Sequence, residues 1–272
     1  MRSDVTAAVA AGATFGIFSN APLVVHETNN TVVWLRPEAV VAKVATRPDA
    51  RDGVQLEHKI ALELVAVGGE IASPMPGTGL TVHEETGFVV TLWERLDGAV
   101  GSEVEPAVLH ESLLRLHAAL ARTTHELPSY RASLTRARAA LDDQSVTAAM
   151  LRDDAAFLRD VYDDGLSALA TMPARQLRLH GEPHDGNRVM TTAGLRWVDL
   201  ESCCNGPPEW DLGFLPAEFD RQLSGIDHDL LALLRRLNSA RVATWCLGQT
   251  RHLEMRRYGE LHIAVLRGHP DH

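Results

Sequence analysis

The chain is expected to fold as an α+β protein of two lobes, a small antiparallel β lobe followed by a larger helical one. Three observations carry that expectation. The first hundred residues set β-branched runs against polar turns, the pattern of hairpins. From Pro106 to about Ala170, and again from Pro216, the apolar residues recur with helical spacing. The two regimes meet at a short stretch, Leu96–Gly98. At 272 residues the chain is also above the size at which one core tends to divide. The expected lobes are residues 1–96 and 97–272.

The elements follow in order. "PLVVHETNNTVVWL" is two strands around a polar turn, and "AVVAKVA" is a third strand closed by "TRPDARDG". "VQLEHKIALELVAVGG" is an amphipathic helix: Leu56, Ile60 and Leu64 fall on one face, and two glycines stop it. "GLTVHEE" and "GFVVTLWERL" are opposed strands. "AVLHESLLRLHAALA" opens the helical part, and "HDLLALLRRLNSARVATWCLG" resumes it. Between them stands "LHGEPHDGN", with two acids, two histidines and an asparagine around one aliphatic residue, followed by "LRWVDLES". No core strand or helix has that composition.

Composition narrows the function. Apolar residues make up 45% and charged residues 23%, as in a soluble globular protein. No apolar run reaches the ~18 residues of a membrane span, and the start lacks the apolar core of a signal peptide. Three cysteines, two of them adjacent, form no disulfide framework and fit a reducing cytoplasm. A net charge of -10 argues against nucleic acid as a partner and mildly favours cationic ligands. Oligomeric state is not legible in the sequence.

The polar stretch has a chemical reading. Asn187 and, twelve residues on, Asp199 offer hard oxygens of the kind that Mg²⁺ accepts beside phosphates. Asp199 is expected at the end of a short strand beginning at Leu195. Glu182 then faces the nucleophile of a phosphoryl transfer. Such a site also needs a lysine on a strand and an acid on the next helix. Lys43 lies in "VVAKV", and Glu57 and Glu63 lie on the helix that follows, each three residues from Ile60. Lysine to phosphate, acid to lysine, Asn and Asp to metal, carboxylate to hydroxyl are the parts of a kinase-type site.

"LHGEPHDGN", "WVDLE" and "GPPEWDLG", with "VVAKV", "VVTLWERL" and "LLRLHAAL" in the same order, resemble the aminoglycoside phosphotransferase and choline kinase-like family of small-molecule kinases. The resemblance covers most of the chain. It implies a protein-kinase-like bilobal fold with a five-stranded antiparallel sheet in the nucleotide-binding lobe, residues 1–96. Residues 97–272 would carry the catalytic loop and substrate site. It implies Mg²⁺, and ATP with GTP as the alternative, as cofactor and co-substrate; the partner is a small-molecule hydroxyl acceptor, neither nucleic acid nor membrane. Asn187 and Asp199 would bind the metal, Lys43 the phosphates, and Glu57, or else Glu63, would orient Lys43. The backbone around Thr91, Trp93 and Glu94 would meet adenine. His180 and Asp211 would brace the catalytic loop. The sequence departs from the family at one place: Glu182 stands where the family has a catalytic aspartate, one methylene longer, and Asp185 is a second candidate for the same role. The nucleotide loop, "HETNNT", offers asparagines in place of glycines. The other class of reading is a kinase-like nucleotide-binding protein without turnover. Retention of both metal ligands and the lysine favours the enzyme.

Blander readings account for the rest. Cys203 and Cys204 lack a partner pair at zinc spacing and read as buried thiols. The thirteen histidines form no metalloprotease-type motif. Asp220, Asp227, Asp229, Glu254 and Glu260 are candidates for an acidic substrate lining, and equally for ordinary solvated helix faces.

Overall fold

The computed structural model describes residues 2–248 and 253–269. In chain order its helices are α1 (Ser3–Thr14), α2 (Arg51–Ala66), α3 (Pro106–Leu120), α4 (Arg131–Ala140), α5 (Gln144–Thr147), α6 (Arg152–Thr171), α7 (Pro208–Leu212), α8 (His228–Gly248) and α9 (Leu253–Leu266). Its strands are β1 (Leu23–Glu27), β2 (Thr31–Trp34), β3 (Val40–Ala45), β4 (Thr81–Val82), β5 (Val89–Glu94), β6 (Gly98–Val100), β7 (Leu177–Leu179), β8 (Arg188–Thr191), β9 (Gly194–Trp197) and β10 (Cys204–Gly206). They divide into two compact units. One is Met1–Glu126 with His180–Cys203; the other is Leu127–Leu179 with Cys204–His272. α3 and residues 180–187 of the polar stretch fall in the same unit as the N-terminal sheet.

In the first unit, five strands form an antiparallel sheet in the order β1-β2-β3-β5-β4. The hairpin, the third strand and the opposed pair of the sequence are all present. Register places Lys43 opposite Val32 on one side and Thr91 on the other. Alternation along β3 then sends Ala42 and Val44 into one core, with Val33, Leu35, Val90 and Leu92. That core is closed by α1, through Val5, Ala7, Ala8 and Ala11. This helix is not apparent in the sequence, because small alanines give little amphipathic contrast. Lys43 and Thr91 face the other side, toward α2, whose Glu57, Ile60 and Leu64 are buried.

A second sheet, β6-β8-β9, carries the polar stretch. The β8–β9 hairpin pairs Arg188 with Trp197. Trp197 is wholly buried; its indole N–H donates to Ser112 Oγ (3.1 Å), and its backbone bonds to Glu70 and Ala72. A strand anchored by so large a buried ring holds the residues after it in place.

The second unit is mostly helical. Tyr130, Leu134, Leu158, Tyr162, Trp210, Leu234 and Leu237 belong to one buried cluster, and β7 pairs with β10 beside it. The expected long helical stretch from Pro106 to Ala170 is broken into α3, α4, α5 and α6. No helix among the described residues is long and apolar enough to cross a membrane.

Candidate active site

The first unit brings together residues far apart in the chain around the Lys43 ammonium. Its Nζ lies 2.6 Å from Glu57 Oε2, 2.7 Å from Asp199 Oδ1 and 2.5 Å from Glu201 Oε1. Lys43 and Glu57 are buried, while the Asp199 side chain is 42% exposed and so open to a ligand. Glu57 is thus the partner of Lys43. Glu63 is engaged elsewhere: its carboxylate accepts the backbone N–H groups of Thr124 (2.6 Å) and His125 (3.3 Å), which hold it below the usual carboxylate range. Both acids lie on α2, six residues apart, a separation that puts them on different faces of the helix.

Three carboxylates around one ammonium leave an excess of negative charge. Burial works to lower the Lys43 pKa, but Asp199, Glu57 and Glu201 drive it well above the ordinary lysine value. Burial pushes Glu57 up to about 7; Lys43 opposes that, and the two neighbouring carboxylates add to it. Burial likewise raises Glu201. For Asp199 burial is outweighed by the Lys43 ammonium, and its pKa falls. A cation beside Asp199 would relieve this imbalance, and the oxygen donors suit a hard divalent ion.

Asp199 is the one described non-glycine residue with positive φ, at φ 62° and ψ 62°. Aspartate tolerates this left-handed conformation better than most residues, yet it still costs about 1–2 kcal/mol. Neighbouring bonds enforce it. Val198 N–H donates to the Asn187 carbonyl (3.0 Å), and the Val198 carbonyl accepts from His180 Nε2 (3.1 Å). On the other side of Asp199, the Leu200 N–H donates to Glu57 Oε1 (3.1 Å). Glu57 therefore holds Lys43 with one oxygen and the chain after Asp199 with the other. The expected strand stops at Trp197, so Asp199 is aimed by this turn and not by a strand end.

The polar stretch is pinned by its own bonds. His180 is fully buried and accepts the Glu182 N–H at Nδ1 (3.3 Å), which places its proton on Nε2, the atom facing Val198. Asn187 Nδ2 donates to the Glu182 carbonyl (2.9 Å), which fixes the amide's orientation and leaves Oδ1 as the oxygen end of the group. The Glu182 carboxylate is half-buried and accepts from Ser202 Oγ (2.7 Å). Asp185 is exposed and forms an ion pair with Arg188 (2.8 Å).

The residues predicted to meet adenine lie on β5. Thr91 and Trp93 are buried, with the Trp93 indole donating to Thr91 Oγ1 (2.9 Å); Glu94 is exposed. The Glu94 N–H donates to the Ser73 carbonyl and the Arg95 N–H to that of Ala39 (both 2.9 Å), so two donors of this segment are already used.

Three residues of the site lie outside the sequence-based set. Glu201 joins the Lys43 cluster, Ser202 holds Glu182, and Asn30 in the β1–β2 turn donates to Glu201 Oε1 (2.6 Å). Glu201 sits two residues after Asp199, and alternation from Lys43 to Asp199 alone does not single it out. In the second unit, Asp211 is fully buried. Asp220 pairs with Arg235 (2.7 Å), Asp227 caps the start of α8, and Glu260 pairs with Arg256 (3.2 Å), so these acids have structural partners; Asp229 and Glu254 are exposed.

Lys43 also has a structural share, because its ammonium balances three carboxylates. In Lys43→Met, Glu57, Asp199 and Glu201 lose the ammonium they share, which costs about 3–5 kcal/mol, or on the order of 10 °C in melting temperature. Burial raises the folded Glu57 pKa and Lys43 holds it down; without the ammonium it rises further, so the variant is least affected below the ordinary carboxylate pKa and loses stability relative to wild type as pH rises above it. Thermal melts from pH 5 to 8 check this; a Tm equal to wild type across that range contradicts the assignment of Lys43 as the charge that holds the cluster.

The chain thus pins a strand lysine between a helix acid and Asp199, beside a loop that carries Glu182 and Asn187. The sequence profile of the phosphotransferase enzyme family matches residues 23–251, and the chain belongs to that family. It is 29% identical over 177 residues to stress response kinase A of Escherichia coli K12, covering 60% of this chain and 52% of that protein. It is 30% identical over 172 residues to the serine/threonine protein kinase RdoA of Salmonella typhimurium, with the same coverage. The match thus spans about half the length of these curated relatives. Among solved structures, a choline/ethanolamine kinase family protein of Mesorhizobium loti superposes with a TM-score of 0.66 at 18% identity, over 97% of this chain and 92% of that one. An aminoglycoside phosphotransferase bound to GDP and kanamycin gives 0.69 at 13%, over 95% and 97%. Amicoumacin kinase hAmiN with AMP-PNP and Ca²⁺ gives 0.67 at 14%, over 90% and 88%. These likenesses establish a protein-kinase-like fold.

Proposed function

We propose that the protein is a Mg²⁺-dependent kinase that moves the γ-phosphoryl group of ATP, or of GTP, to a hydroxyl of a small molecule. The observation that carries the reading is the Lys43 ammonium held between Glu57 and Asp199, at 2.6 and 2.7 Å. In that arrangement Lys43 offers its charge to the α- and β-phosphates, and Glu57 keeps it from turning away. Asn187 Oδ1 and Asp199 hold the metal. When bound, the metal neutralises charge on the phosphates. Glu182 accepts the proton of the attacking hydroxyl, or orients it, with Asp185 as the weaker candidate because it is tied to Arg188. His180 keeps the turn before Asp199 in shape. Thr91, Trp93 and Glu94 border the adenine site, where the base would bond to carbonyls of this segment or to backbone beyond Arg95, since the Glu94 and Arg95 N–H groups are used.

An amine-bearing acceptor, such as an aminoglycoside or amino sugar, suits the net charge of -10. It also suits the structural neighbours, one of which was solved with kanamycin. Residues 1–96 serve as the nucleotide lobe, and the cytoplasm is the compartment in which ATP and three free cysteines coexist. The test is release of ADP or GDP, with Mg²⁺, across a panel of aminoglycosides, amino sugars and amino alcohols. Acceptor-dependent release supports the kinase. Nucleotide binding with no acceptor-dependent release across the panel supports a binding protein without turnover instead.

A further inference from the structure

We infer that Ser202 is a positioning residue that adapts this site to a glutamate at 182. The inference rests on the phosphotransfer reading above. Its starting point is the extra methylene of Glu182. A glutamate carboxylate has one more rotatable bond than an aspartate, so a catalytic carboxylate at its tip is less well held unless something fixes it. Here three bonds fix the residue. Its N–H donates to His180 Nδ1 (3.3 Å), its carbonyl accepts from Asn187 Nδ2 (2.9 Å), and its Oε2 accepts from Ser202 Oγ (2.7 Å). The first two hold only the backbone. Ser202 acts on the side chain, at the reacting end.

The backbone is shaped for this contact. Gly181 has φ +90°, and a Cβ there would run into the Ser202 carbonyl. Only glycine lets the chain before Glu182 come this close to Ser202. Ser202 itself closes the turn that begins at Asp199, and Glu57 bonds that turn at Leu200. The carboxylate that handles the proton and the carboxylate that holds the metal are thereby set from one short segment, residues 199–202. A serine hydroxyl is one donor, so its bond to Oε2 takes only one of the carboxylate's lone pairs. An aspartate at 182, one bond shorter, would fall short of Ser202.

The test is a double-mutant cycle on kcat with Ser202→Ala, Glu182→Asp and the two combined, plus Ser202→Thr as the conservative rescue. A hydrogen bond to a charged group predicts a fall in kcat of roughly ten- to a hundredfold for Ser202→Ala, with nucleotide KM within about twofold of wild type. Ser202→Thr keeps the hydroxyl and should recover most of that loss. In the Glu182→Asp background, Ser202→Ala should have little further effect, because the shorter carboxylate no longer reaches it. Urea unfolding of the same proteins reads whether each variant is folded. A Ser202→Ala enzyme with wild-type kcat overturns the inference, as does an equal kcat loss in both backgrounds. Failure of the underlying reading looks different: wild type itself then turns over no acceptor, and the inference falls with it.

Discussion

Asp199→Ala is expected to be a folded protein with phosphoryl transfer reduced on the order of 10³-fold or more, because a metal-held phosphate contributes several kcal/mol in the transition state. The fold should survive for a specific reason. Removing one of three carboxylates leaves Lys43 paired with Glu57 and Glu201, and it lessens the excess negative charge. Against that, alanine at φ 62° keeps the left-handed strain, about 1–2 kcal/mol, without the ion pair that offsets it. The two effects oppose, so the melting temperature should move by only a few degrees. Turnover and thermal melts on the same preparation check this. Wild-type turnover at saturating Mg²⁺ would remove Asp199 from the metal site; a large fall in Tm would make it chiefly a structural residue.

Glu182→Gln is expected to cut kcat by roughly 10²–10⁴-fold, the range for a positioned general base, while leaving nucleotide binding intact. Glutamine preserves the shape and can still accept from Ser202, so the loss reports the carboxylate itself. If Glu182→Gln is fully active, the base is elsewhere, and Asp185→Asn becomes the discriminating variant. The exposed Asp185 carboxylate is already paired with Arg188, which makes that outcome the less expected of the two.

Much of this site could be read from residue order. The Lys43–Glu57 pair follows from what a strand lysine and the next helix supply, and the two meet at 2.6 Å; Asn187 and Asp199 are proposed as metal ligands from their oxygen chemistry and spacing. The sheet was legible because alternation and polar turns are local signals. What could not be read depends on contacts across the chain. Glu63 was open as an alternative to Glu57 because the sequence does not fix which helix face meets the sheet; the structure sends it to the backbone of Thr124 and His125. Glu201, Ser202 and Asn30 are ordinary residues until the fold sets Asn30 against a residue 171 positions later. The left-handed turn at Asp199 replaced an expected strand end, since bonds from His180, Asn187 and Glu57 on its neighbours outweigh the alternating pattern. Helix α1 was invisible because its buried face is alanine, which carries little hydrophobic contrast.

In the proposed function Lys43, Glu57, Asn187 and Asp199 form a metal–nucleotide site. Calorimetric titration of ATP and of GTP, with and without Mg²⁺, into wild type and Asp199→Ala tests it most directly. Wild type is expected to bind at least one of them with an affinity that Mg²⁺ strengthens at least tenfold, and Asp199→Ala to lose that metal-dependent part. Equal affinity with and without Mg²⁺, or a metal effect unchanged in Asp199→Ala, would contradict it.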